Sequence, residues 1–251
     1  MKLYKYLTIA ALCVLIFAQI GCSDYSSIES SAVDSGQGGS LARFTVVGDY
    51  LYVVDINSLS QYNVSNPDEM VFVQDIRIEN GVETVFPRGN HLFIGTQNGM
   101  YIYEMTSDGN LSYVSDYRHI VSCDPVVAND NFAFVTLRSG DPCRQGFVNE
   151  LQIIDLDDLT LPEQVKTYNM DFPKGLGIDN NTLFVCDGDN LKVFDATDPL
   201  NLTSIIQIDD IKPNDVILLG DLALVISPNT LYQYDYTDVN NIFKVSELGI
   251  Q

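Results

Sequence analysis

Leu183–Asn201 reads LFVCDGDNLKVFDATDPLN. Two alternating runs, LFVCD and LKVFD, flank an Asp-Gly turn, and a polar phrase with a proline closes the second run. Alternation bounded by turn residues marks neighbouring strands of an antiparallel sheet. Asp-Gly between two such runs is a strong signal for a two-residue hairpin. The same phrase returns four more times along the chain.

The first run of each copy is GDYLYVVD around Leu51, GNHLFIGT around Leu92, NDNFAFVT around Phe132, NNTLFVCD around Leu183 and GDLALVIS around Ala223. The second runs begin their apolar register at Leu59, Met100, Leu151, Leu191 and Leu231, so the steps are 41, 51, 40 and 40 residues. One period near 40 fits all of them if the third copy carries about eleven extra residues, and a repeat of that length points to a solenoid or propeller. Each copy also has an inner run such as ETVFP or DVILL and a less regular outer run such as MVFVQDIRI or EQVKTYNM. No window shows a helical period. Four antiparallel strands per unit of about 40 residues is the composition of a propeller blade. The expectation is an all-β, five-bladed β-propeller of four-stranded antiparallel blades over residues 41–251.

The third strand of each copy ends on Asn63, Glu104, Asp155, Asp195 or Asp235, followed by VSNPDE, MTSDGN, LDDLTLPE, ATDPLN or YTDVNN. Asp and Asn side chains bond the backbone two residues on, and proline presets φ. These acids are therefore expected to turn the chain, not to catalyse.

The stretches LYVVDINSLSQYNVSNPDE, LFVCDGDNLKVFDATDPLN and VNELQIIDLDDLTLPEQ resemble the LVIVD-repeat family of exported bacterial β-propeller-like proteins. Copy two departs from the pattern with Glu104 and no proline, and copy five has Val239 in the proline's place. The resemblance implies a fold and an exported location, and no catalytic residues.

Ahead of the repeats, Lys2 and Lys5 precede an apolar run from Leu7 to Ile20. That run is short for a membrane span but suits the apolar core of a signal peptide. Gly21 then precedes Cys22 and the polar tract SDYSSIESSAVDSGQGGS. This is similar to a bacterial lipoprotein signal, with residues 1–21 removed and Cys22 lipidated, although Gln19 stands where the pattern has an aliphatic residue. Ser23-Asp24 resembles the start of surface-exposed lipoproteins of the Bacteroidetes group. An ordinary secretory signal that leaves Cys22 free is the alternative. Residues 22–40 are rich in Ser, Gly and Asp, and read as a flexible tether. The expected location is the bacterial cell envelope, anchored at the outer membrane by the lipid alone and exposed at the cell surface or facing the periplasm.

The chain carries 34 acids against 13 bases; loss of Lys2 and Lys5 leaves 11, a net charge of 11 − 34 = −23. Such a surface repels nucleic acid and anionic headgroups and keeps the domain soluble.

In an oxidising compartment Cys123 and Cys143 are the natural pair. The loop of about 20 residues between them would contribute on the order of 3 kcal/mol. It would pin the extra residues of copy three, Ser139 to Asn149, across the blade's inner end. Cys186 lies in a strand built for burial and reads as a core residue. The cysteines lack the paired spacing of a zinc site.

Counting back eight residues from the reference position of each copy gives Arg43, Thr84, Asp124, Gly175 and Asp215, with Glu83 adjacent. If they register together, Arg43, Glu83, Thr84, Asp124 and Asp215 ring the channel mouth as a candidate ligand site. Asp124 and Asp215 would suit a divalent cation or a polar ligand; a water-filled funnel is the alternative. Only two histidines, His91 and His119, are present, and His91 reads as an exposed turn residue. No nucleophile elbow, phosphate loop or dinucleotide fingerprint appears. The expectation is a non-catalytic binding module without a resident cofactor, for an envelope protein, a glycan or a small molecule. The rivals are a hydrolase or lyase using the mouth carboxylates, and an envelope-assembly scaffold.

Overall fold

The structure, a computed structural model, describes residues 35–36, 38–79, 81–107, 109–118, 125–140 and 148–250. The leader, Cys22, Cys123, Asp124, His119 and Cys143 lie outside them, and with them the lipidation and disulfide expectations.

Five antiparallel sheets form the blades of a five-bladed β-propeller, each a meander from the axis outward. Blade 1 contains β1 (Ser35–Gly36), β2 (Phe44–Val47), β3 (Tyr50–Asp55), β4 (Ser58–Asn66) and β5 (Glu69–Arg77). Blade 2 contains β6 (Val82–Arg88), β7 (His91–Thr96), β8 (Gly99–Met105) and β9 (Leu111–Arg118). Blade 3 contains β10 (Val126–Ala128), β11 (Phe132–Leu137), β12 (Glu150–Asp155) and β13 (Glu163–Asn169). Blade 4 contains β14 (Pro173–Asp179), β15 (Thr182–Asp187), β16 (Asn190–Asp195) and β17 (Thr203–Ile208). Blade 5 contains β18 (Asp215–Leu219), β19 (Leu222–Ile226), β20 (Thr230–Asp235) and β21 (Phe243–Gly249).

The strand-ending acids turn the chain as the sequence implies. Asn63, Asp155, Asp195 and Asp235 accept from the backbone N–H two residues on, at 3.0, 2.8, 2.8 and 2.9 Å. Glu104, one methylene longer, instead accepts from Asn90 Nδ2 at 3.1 Å. A further backbone bond ties the residue after each of the five to the inner hairpin turn of its own blade, as Ala196 N–H to Asn181 O at 2.7 Å.

Copy three is displaced by one residue from its place in the sequence alignment. Ala133 pairs with Ala128 as Leu51 pairs with Val46, Leu92 with Pro87, Leu183 with Ile178 and Ala223 with Leu218. Ala133, not Phe132, therefore holds the reference place, because Asn129 ends the inner strand and donates its N–H to Phe132 O at 3.0 Å. The inner position eight residues back becomes Pro125 in place of Asp124.

Side-chain alternation gives each blade a leading face toward the preceding blade and a trailing face toward the next. Tyr52, Phe93, Phe134 and Phe184 occupy one equivalent trailing position and are buried. They fill the four seams between successive blades, against leading residues such as Leu92 and Ile94 of blade 2, Ala133 and Val135 of blade 3, Leu183 and Val185 of blade 4, and Val216 and Val225 of blade 5. Cys186 belongs to the last of these cores, fully buried as expected. Burial pushes its thiol well above the ordinary range, which keeps it protonated and inert. Among the described residues no apolar cluster joins blade 5 to blade 1.

Candidate functional site at the channel mouth

Inner strands start, and second strands end, at the same end of the ring, so the counted residues share a level. Arg43 O accepts from Val54 N–H at 2.8 Å, and Arg43 Nη2 donates to Val82 O at 3.2 Å. Arg43 is thereby held at the start of the strand that carries Glu83 and Thr84. Thr84 is buried, and among the described residues its hydroxyl has no hydrogen-bond partner. Glu83 is half-buried.

Asp215 stands elsewhere, on blade 5, and it does not open into the mouth. Its carboxylate is covered by the residues that lead into blade 1: the Ser40 hydroxyl donates to Oδ1 at 2.9 Å and Leu41 N–H to Oδ2 at 3.3 Å. The Ser40 oxygen in turn accepts from Leu176 N–H of blade 4 at 2.8 Å. Two residues on, Ala42 O accepts from Val85 N–H of blade 2 at 2.9 Å. Residues 39–42 therefore lace blades 5, 4 and 2 together. The end of the segment read as tether is thus built into the propeller: Ser35 and Gly36 pair with Val47 and Val46, while Gly39 and Ser40 are buried.

Small residues make this possible. A Cβ on Gly39 would lie 2.2 Å from Asp215 Oδ2, and one on Gly175 would lie 2.1 Å from Oδ1. The carboxylate is gripped between two glycines. Burial raises its pKa to about 6, against the hydrogen bonds from Ser40, Val216 and Leu41 that favour the charged form.

A second buried carboxylate, Asp187, ends β15 where the sequence shows a hairpin turn. It accepts from Asp171 N–H at 3.0 Å and Phe172 N–H at 2.6 Å, and pairs with Lys192 Nζ at 2.6 Å. Burial draws the Lys192 pKa down, but the hydrogen bond and charge of Asp187 outweigh it and leave the amine raised.

Near this end, the Arg138 guanidinium lies 4.9 Å over the Phe172 ring, and Lys174 Nζ donates to Asn214 Oδ1 at 3.0 Å. Burial, then the charge of Arg138, lowers the Lys174 pKa. The base of the third-blade insert is fixed: Asn149 Oδ1 accepts from Ser139 N–H at 2.8 Å, and its amide donates to Asp171 O at 2.7 Å. His91 is the first residue of β7, half-buried and not in a free turn, with a pKa lowered by burial and partly restored by Glu104.

The structure thus brings Arg43 to the strand of Glu83 and Thr84, and takes Asp215 to Ser40 and Gly175. Among the described residues no three His, Cys, Asp or Glu side chains gather as a metal set would.

No protein-family model matches the sequence, and no curated protein sequence does. Solved structures do resemble it. A protein from Lactobacillus plantarum is similar with TM-score 0.63 at 14% identity, covering 82% of this chain and 74% of that one. A functionally unknown protein from Desulfotomaculum acetoxidans gives 0.64 at 12% identity, covering 86% and 69%. The periplasmic gluconolactonase PpgL of Pseudomonas aeruginosa gives 0.62 at 14% identity, covering 81% and 68%. The likeness is one of fold. At such identity a shared propeller carries no activity with it.

Proposed function

We propose that this chain is a non-catalytic binding propeller of the bacterial cell envelope, an exported lipoprotein of LVIVD-repeat type. It is anchored through Cys22 at the outer membrane and takes an envelope protein, a glycan or a small molecule at its insert-bearing end. The observation that supports this reading is the state of two described acids near the mouth, Asp215 and Asp187. Both are buried and bonded to the protein's own backbone and side chains. A general acid or base must reach the substrate's proton directly or through one water, and these two are enclosed. The surface left for a partner includes Arg43, Phe172 and the rim around Ser139 and Asn149.

The rival, an enzyme acting on a lactone or glycan, draws on the gluconolactonase among the similar folds. The test pairs two assays on the purified protein. Turnover of gluconolactone, with and without added divalent cation, is expected to stay at the uncatalysed rate. Thermal shift against a panel of envelope glycans and peptides is expected to give a hit that is lost on deleting 140–148. Turnover abolished by Asp215→Asn, or a panel hit indifferent to that deletion and to Arg43→Ala, would overturn the proposal.

A further inference from the structure

In a chain with 34 acids against 13 bases, two cations meet at the insert-bearing end of the seam between blades 3 and 4. Arg138 follows β11 and Lys174 is the second residue of β14, and both are half-buried. Two contacts in antiparallel order fix the crossing: Thr136 Oγ1 donates to Lys174 O at 2.5 Å, and the Arg138 guanidinium lies 4.9 Å over the ring of Phe172. Neither charge belongs to the repeat. In the shared register Arg138 stands where the other blades have Ile56, Gln97, Gly188 and Pro228, and Lys174 stands where blades 1, 2 and 5 have Ala42, Glu83 and Asn214.

Three acids of this end are engaged with other groups. Asp187 holds Lys192 at 2.6 Å, Asp171 touches the same amine at 3.2 Å, and Asp215 is covered by Ser40 and Leu41. The Lys174 amine donates instead to an uncharged oxygen, Asn214 Oδ1, at 3.0 Å. Burial and next the charge of Arg138 lower its pKa, and the opposing pull of Asp189 does not restore it. Like charges held together on two blades and partly out of water repel until an anion lies between them.

The backbone that carries these groups is fixed in advance. Phe172 N–H donates to the buried Asp187 carboxylate at 2.6 Å, and Phe172 O accepts from Gly188 N–H at 3.0 Å. Asn214 N–H donates to Ile226 O at 2.7 Å, and its carbonyl accepts from Gly175 N–H at 2.9 Å. Groups placed in this way bind without the cost of being ordered. Phe172 is still 40% exposed. A guanidinium stacked on a ring presents its N–H fork edge-on, and with five donors it serves more than one acceptor.

We propose that Arg138, Phe172, Lys174 and Asn214 form a subsite for an acidic sugar, with its carboxylate or phosphate between the two cations, its ring against Phe172 and a hydroxyl on the Asn214 amide. The assignment rests on the binding reading above, from which it takes the insert-bearing end as the ligand face, and it selects one class from those that reading allows. Cations alone would suit any oxyanion, which a guanidinium takes in bidentate fashion. The exposed aromatic ring and the amide add an apolar face and hydrogen bonds for a sugar.

The test titrates the purified protein with glucuronate, a glucose phosphate and glucose, followed by amide chemical shifts in nuclear magnetic resonance at low and at raised salt. At least one of the two anions should bind, and the pair tells carboxylate from phosphate. Glucose should bind about tenfold more weakly, and the affinity for the anion should fall as salt rises. Arg138→Gln and Lys174→Gln should each weaken that anion about tenfold, through loss of a charge-assisted hydrogen bond. Lys166→Gln, at an exposed lysine over Tyr168 on the outer strand of blade 3, should leave it unchanged. Circular dichroism checks that the variants fold, and the comparison of anion with glucose needs no variant. Binding of neither anion, glucose bound as tightly as they are, or charge variants that bind like the wild type would each overturn the proposal. A neutral glycan or peptide bound in place of the anions, and lost on deleting 140–148, would overturn it and leave the broader binding reading standing. Gluconolactone turnover abolished by Asp215→Asn would overturn that broader reading, and it is read separately from the titration.

Discussion

The Ser40 hydroxyl donates to Asp215 Oδ1 at 2.9 Å across 175 residues of chain. Because Ser40 Oγ also accepts from Leu176 N–H, one small side chain fastens the entry of the propeller to blades 4 and 5 together. Asp215, one of the two acids that the sequence offers as ligand groups, is a fastening.

The first prediction concerns pH. The folded Asp215 pKa, about 6, lies above the ordinary carboxylate value of 3.8. The native state therefore binds more protons than the unfolded chain between those values. Stability from this group is complete below about pH 4 and is lost as pH rises through about 6, a difference on the order of 3 kcal/mol. Other carboxylates with lowered pKa, such as Asp195, act in the opposite sense. The readout is consequently the difference between wild type and Asp215→Asn in urea unfolding at pH 5 and pH 8. The wild type should gain on the variant at the lower pH.

Gly175→Ala should lower stability by several kcal/mol, because its Cβ would meet Asp215 Oδ1 at 2.1 Å and Asn214 O at 2.8 Å, and the second is backbone that cannot swing aside. Gly48→Ala places its Cβ in open space but at a φ of 55°, so it should cost only about 1 kcal/mol. Thermal melts of the two variants check the order.

Asp187→Asn should cost about 3 kcal/mol or more. It removes one member of a pair whose other member, Lys192, has only 19% of its side chain exposed, and Asn is a poorer acceptor for the Asp171 and Phe172 amides. Asp171→Asn, which touches the same amine at 3.2 Å from a side chain 79% exposed, should cost little. Chemical denaturation of both separates the buried bond from the exposed one.

Thr84→Val is expected to be neutral or to stabilise by about 1 kcal/mol, since the hydroxyl it removes is buried without a partner among the described residues. A loss of more than that, in the same denaturation assay, would mean that the hydroxyl binds an ordered water or ligand.

Much of this architecture was legible in the sequence. The 40-residue period, the alternation and the strand-ending acids gave five blades and their turns, because each is a local rule repeated five times. The register of copy three differs by one residue from the sequence alignment. Phe132 looks like the leucine of the other copies, whereas that slot holds Ala133, and the turn shifts to Asp130 and Asn131. The Ser40 fastening was not legible at all: its partners lie 136 and 175 residues away, and Gly39 and Ser40 have the composition of a linker. Their smallness, read as flexibility, is what lets them close on Asp215.

The most direct test of the central claim, that Asp215 holds the ring together through Ser40, is a double-mutant cycle on the two residues in urea at pH 5. Ser40→Ala and Asp215→Asn should each destabilise the protein, and the double variant should lose less than their sum by about 1 kcal/mol or more. Losses that simply add would show that the two side chains are not coupled, and would contradict the account.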